Sequence, residues 1–368
     1  MATLTFTENP PLLFSDNAGQ LQYTLDDSEV IYLVISGKRY QIPVADSSGT
    51  LEMSDILRGA PIARPAIRVG YDDRIYPSVT VTAGPADISD STGRATVNLR
   101  VLRGGIYGES AATAYAKTAK AWLTLMKGSS SEPRPVSKWG KEFVSFHPYE
   151  ADTGGIVTAD VLVKDIAPTI QVILLNDGGV GWDEYGVITV DSSFDRIRNA
   201  ILIDYPSLSE DRIWGWELHF RGGNDGSAYT SQALTYRLIQ TKSNYREFIY
   251  RNSLGSWDSV YSKGAFKVVP QYNFASFRNR NKEGQLDSLP IEHMEIDSGP
   301  LATAVEQRMW LEMISSDEVY LVDQSGDIRL IILDESSPSL TQKELNSLTI
   351  KCHYAERVVG NGTRISIA

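Results

Sequence analysis

The sequence predicts a mainly β protein: multi-domain antiparallel β-sandwiches with a C-terminal α+β part containing one clear helix. Three observations predict it. Apolar and polar residues alternate with period two in segment after segment, as half-buried strands require. Clusters of Gly, Asn, Asp and Ser punctuate those segments as turn signals. Tyrosine outnumbers phenylalanine 18 to 10, and Gly and Pro number 29 and 16, a mix that suits strands and turns. Alternation favours antiparallel sheets with one solvated face, because buried parallel strands read as continuous apolar runs.

The elements follow in order. Leu4 and Phe6 alternate with Thr3, Thr5 and Thr7. Val30–Ile35 and Tyr40–Val44 flank the Ser36-Gly37 turn. Val79 and Val81 alternate with Thr80 and Thr82, and Val97, Leu99 and Val101 with Thr96, Asn98 and Arg100. Ala111 to Lys120 is rich in Ala but weakly amphipathic, and its state stays open. Gly128 to Pro135 is the most linker-like stretch. Trp214, Trp216, Leu218 and Phe220 share one face of a strand that ends in the Gly222–Gly226 turn. Tyr245–Tyr250 is a further strand. The clearest helix starts at Gly299-Pro300, with Pro in the first turn. Leu301, Val305, Met309 and Met313 continue it at i+4 spacing, with Trp310 and Ile314 beside them. Leu348, Ile350, Cys352 and Tyr354 form the apolar face of the last long strand, with Thr349, Lys351 and His353 opposite. The expected division is an N-terminal β-sandwich over 1–104, a middle β-domain over 105–245 and a C-terminal α+β domain over 246–368.

Composition narrows the function. A chain of 368 residues suggests two or three domains. At 42% hydrophobic and 22% charged it has enough apolar residues for packed cores. With 35 Lys and Arg against 46 Asp and Glu, the net charge of -11 argues against broad binding to a phosphate backbone. One cysteine excludes a disulfide framework and multi-Cys metal sites. The N-terminal residues carry no basic leader, and the longest apolar run near them is strand-sized. A cytoplasmic origin without a membrane span is the expectation.

Chemical motifs are sparse. The four histidines are His147, His219, His293 and His353, and none has metal-finger spacing to another His or to Cys352. His219 and His353 fall on polar strand faces. His293 lies beside Glu292, but adjacent strand residues face opposite ways, so that pair is a poor acid/base couple. Cys352 reads as a small core residue. Phosphate-binding glycine motifs are missing. Asn176-Asp177-Gly178-Gly179 with Asp183-Glu184 has the oxygens but not the spacing of a calcium loop. No catalytic, cofactor or metal residue is therefore assigned. Trp182, in a Gly-flanked acidic loop, is the candidate exposed anchor.

Two stretches carry a resemblance. Phe6-Thr7-Glu8-Asn9-Pro10-Pro11-Leu12-Leu13-Phe14-Ser15 is followed by two strands and Met53-Ser54-Asp55-Ile56-Leu57-Arg58. Tyr250-Arg251-Asn252-Ser253-Leu254-Gly255-Ser256-Trp257-Asp258 is followed by Ser298-Gly299-Pro300-Leu301 and Trp310 to Leu321. These phrases resemble tail and baseplate structural proteins of phages and prophages of Bacteroides-like bacteria. The resemblance implies a virion protein of the distal-tail or baseplate-hub type, assembled in the host cytoplasm, with no enzymatic residues to carry over. Its expected partners are copies of itself in a ring and neighbouring tail proteins, with no sequence-specific nucleic acid. An acidic chain lining a tail channel would let DNA slide past.

The same residues have a local reading. Asn252-Ser253 and Leu254-Gly255-Ser256 are turn formers between two strands. Asp258 is placed to cap backbone amides and Trp257 to anchor the turn on the core. The alternative makes Asn252, Leu254, Trp257 and Asp258, together with Trp182, a docking surface for a neighbouring subunit. Beyond assembly, a carbohydrate-binding module or receptor-binding adhesin is the second functional expectation, and an envelope hydrolase the third.

Overall fold

The computed structural model describes residues 2–8, 10–26, 29–61, 73–75, 78–85, 95–119, 121–124, 133–147, 155–165, 169–176, 187–222, 228–229, 232–239, 245–271, 275–279, 282–286, 291–301, 303–322, 326–336 and 347–355. The fold is mainly β, with several antiparallel sheets and four α-helices among the described residues. The chain divides into two compact units: Met1–Ile239 with Arg251–Asp258, and Gln240–Tyr250 with Ser259–Ala368.

The first unit holds two large hydrophobic clusters, one drawn from residues 2–111 and one from 122–238. In the first, strands Thr3–Phe6, Gln20–Thr24 and Ser48–Glu52 make one sheet. Glu29–Ile35, Ser78–Pro85 and Ala95–Leu102 run through another. Leu21 and Tyr23 from one sheet, and Ile31, Leu33, Val79, Val81, Leu99 and Val101 from the other, share one core. Alternating inward residues of two sheets that meet in one core are the signature of a sandwich.

The second cluster repeats the scheme. Phe143–His147 and Val187–Asp191 supply Val144, Phe146, Ile188 and Val190. Gly155–Val163 and Ile213–Gly222 supply Val157, Ala159, Val161, Trp216, Leu218 and Phe220. Trp214 departs from its expected place on that core face. The ladder shifts register at Leu162/Val163, so Ile213 takes the inward position. Trp214 is left half-buried under the Arg237 guanidinium, 3.8 Å from the ring centroid. An extra residue in one strand reverses which side faces inward.

Other departures have local causes. Arg134–Val136, inside the stretch expected to be a linker, is a strand paired parallel with Leu234–Leu238. Leu13–Phe14 also pairs parallel, with Ala95–Leu102. Ala111–Thr118 is a helix, and its Ser110 cap accepts from the Thr113 amide. Helices Met53–Gly59 and Phe194–Asp204 were not expected. Phe194, Ile197 and Ile201 carry the i, i+3, i+7 signal of the second.

The second unit is built on a seven-stranded sheet. Its strand order is Trp257–Ser262, Arg246–Arg251, Val319–Val322, Ile328–Ser336, Thr349–Tyr354, Ile291–Asp297, Phe266–Gln271. The helix expected from Gly299-Pro300 starts later, as Ala304–Ser315. Thr303 caps it by accepting from the Glu306 amide at 3.1 Å. Gly299 has φ +71 and belongs to the turn before it. The expected stripe is kept in part: Met309, Trp310 and Met313 are buried, Val305 and Ile314 are half-buried, Leu301 is buried but precedes the helix, and Trp310 meets Phe248 of the sheet edge-on at 5.7 Å. Cys352 is buried on an inward face with Met294, Ile296 and Ile350. Burial, with a smaller contribution from Asp334, pushes its thiol up to about 12.

Candidate functional site

Two polar clusters stand out. The first lies in the first unit at the hairpin tip Arg251–Asp258. Asn252 uses its whole amide there. Its Oδ1 accepts from the Leu254 and Ser256 amides, each at 3.0 Å. Its Nδ2 donates to the Leu123 carbonyl at 3.0 Å and to Asp258 Oδ2 at 2.7 Å. Asp258 Oδ1 accepts from Arg134 Nη1 at 2.8 Å and from the Thr124 hydroxyl. Arg134 Nη2 reaches Glu142 Oε2 at 3.4 Å. Burial works against the charge of Arg134, but Tyr236, Asp258 and Glu142 outweigh it and raise its pKa above the ordinary value. Tyr236 is itself held un-ionised by burial.

These contacts correct the docking-surface expectation. Asn252, Trp257 and Asp258 are buried at 4%, 1% and 1% exposure. Leu254 packs against the cluster of Leu12, Phe14, Leu102, Tyr115 and Leu123. The Trp257 ring lies under the Arg251 guanidinium at 4.2 Å. The phrase therefore specifies shape. Asn252 caps the amides of the turn, and Asp258 pairs with the buried Arg134 guanidinium. Trp182 and most of the acidic loop that holds it lie outside the described residues.

The second cluster lies in the second unit, on the face of the sheet opposite Cys352. His293 and His353 are directly paired across strands Ile291–Asp297 and Thr349–Tyr354. Their rings are 5.3 Å apart between centroids. On the other side of His353, strand Ile328–Ser336 shifts register between Leu333 and Glu335. The displaced residue is Asp334. Its Oδ2 lies 2.8 Å from His293 Nδ1 and its Oδ1 lies 2.6 Å from His353 Nδ1. The three side chains are 23–27% exposed, neither sealed nor free in solvent. All three potential ligand atoms lie within 4.8 Å of one another.

Sequence reading placed His353 on a polar face, as observed, whereas the side chain of Glu292, the neighbour of His293, lies outside the described residues. That reading did not bring the two histidines together. Asp334 is 41 residues from His293 and 19 from His353. Only strand register and a bulge join them, and neither leaves a spacing motif. The other histidines differ. His147 is buried and His219 half-buried, the latter 3.5 Å from Asp160. Burial depresses the pKa of both. No helix among the described residues is long and apolar enough to cross a membrane. Compared with known proteins, the chain matches no family model, and no curated protein matches it significantly.

Proposed function

We propose that the chain is a structural subunit of a phage tail end, a distal-tail or baseplate adaptor that joins copies of itself into a ring and holds neighbouring tail proteins. One observation carries the assembly part. Among the described strands, three different sheets end in strands with exposed apolar side chains. Lys38–Ile42 presents Tyr40 at 38%, Ile170–Asn176 presents Ile173 at 54%, and Phe266–Gln271 presents Val268 at 45%. An edge strand offers unpaired amides and carbonyls to another chain, and monomers usually blunt such edges. A second copy that adds its strand satisfies the backbone and covers the apolar side chain together. Repeated head-to-tail pairing closes a ring when the fixed rotation between copies is a whole fraction of a turn. The likeness of both ends of the chain to phage tail and baseplate proteins supports the virion setting.

Native mass spectrometry and negative-stain microscopy of the purified full chain test this. Ring-shaped oligomers of defined stoichiometry are expected, and the pair Ile173→Lys and Val268→Lys is expected to shift them toward monomer. A wild-type chain that stays monomeric over the whole accessible concentration range overturns the proposal.

A further inference from the structure

We propose that His293, Asp334 and His353 form a binding site for a divalent transition-metal ion of the zinc class. The donor set is two imidazoles and one carboxylate. This set suits zinc and its first-row neighbours, whereas calcium and magnesium favour all-oxygen shells. The three donors come from three adjacent strands, so ordinary ladder hydrogen bonds fix their backbones before any ion arrives. Preformed donors reduce the ordering that binding requires.

Two features point to a built site rather than a chance surface trio. The two imidazoles turn the same ring nitrogen, Nδ1, toward one carboxylate. The strand also gives up regular pairing at the residue that supplies that carboxylate. Bulges are used to re-aim side chains at functional places. Around tetrahedral zinc, with bonds of about 2.1 Å, donors stand about 3.4 Å apart. The observed Nδ1–oxygen separations of 2.8 and 2.6 Å reach that by small side-chain rotations.

Cys352 does not supply a fourth ligand. It is buried on the opposite face of the sheet, paired with Met294. Ile332 at 48% exposure and Val269 at 36%, the cross-strand neighbours of His353 and His293, offer no donor. Among the described residues the group supplies three ligand atoms, and water or an external donor would complete the shell. In its physical class this is an open site, not a sealed structural one.

The full chain, stripped with a chelator and dialysed, should be titrated with Zn²⁺ by calorimetry and with Co²⁺ by visible absorption. One ion per chain is expected, with Co²⁺ bands of a four- or five-coordinate centre. His353→Gln and Asp334→Asn should each weaken Zn²⁺ binding at least tenfold, while circular dichroism stays that of the wild type. His293→Gln serves as the second histidine variant if either of those fails to fold. His219→Gln should leave affinity unchanged. Absence of stoichiometric binding by the wild type, or equal affinity in the folded variants, overturns the site.

Discussion

His147 shows what burial does to one ionisable side chain. It is fully buried at the end of strand Phe143–His147, with the Tyr115 ring edge-on at 5.3 Å. The Thr118 hydroxyl donates to the carbonyls of Ala114 and Tyr115, so it is left to accept from His147 Nδ1 at 3.3 Å. Nε2 then carries no proton, and no hydrogen-bond partner faces it among the described residues. Burial lowers the imidazole pKa to about 4, against the smaller opposing effect of a hydrogen bond with the Thr118 backbone. The unfolded chain takes up this proton near pH 6.5, whereas the folded chain resists it. The stabilising contribution is therefore complete above pH 6.5 and is lost as the pH falls toward 4. Between pH 7 and pH 5 the loss should be about 2 kcal/mol, for a folded value near 4 against an unfolded 6.5. Urea unfolding at both pH values, on wild type and His147→Gln, measures it. The variant should lack that part of the pH dependence, and identical slopes would refute the assignment.

Turn chemistry decides more at the scale of the element. Gly37 and Gly255 both have φ +77, a region that side chains other than glycine rarely adopt. Their surroundings differ. A Cβ at Gly37 would meet nothing within 4 Å, whereas at Gly255 it would collide with the Arg103 carbonyl. Both sites share the cost of the left-handed backbone, about 1 kcal/mol. Only Gly255 adds a backbone clash, in a tip already tied down by Gly105, whose amide donates to the Ser253 carbonyl at 2.7 Å. Gly255→Ala should therefore destabilise by about 2–3 kcal/mol and Gly37→Ala by about 1 kcal/mol. Chemical denaturation of the two variants checks the difference, and equal losses would show that the close approach does not matter. The sequence marked Gly255 as a turn former from its neighbours Asn252 and Ser256. It carried no sign of Arg103, because that contact joins segments about 150 residues apart.

For the whole molecule, charge is the property read directly from composition. A net charge of -11 leaves no general attraction to a phosphate backbone. Fluorescence anisotropy with labelled duplex DNA at low salt should show no binding, and salt-dependent binding would point instead to a local basic surface. Strand periodicity also told which face of many strands turns inward. Met309, Trp310 and Met313 of the helix, and Ile350 and Cys352 of the last strand, are buried as their spacing required.

By itself, then, the sequence determined the β class, the alternation of most strands and the buried state of its single cysteine, because those follow from local periods of 2 and 3.6 residues. Tertiary structure alone decided the rest. It set the register that puts His293 opposite His353, the bulge that turns Asp334 toward both, and the buried partners that draw Asn252, Trp257 and Asp258 inside. Register and counter-ion pairing depend on contacts between residues tens to more than a hundred positions apart, and such contacts leave no period in the chain.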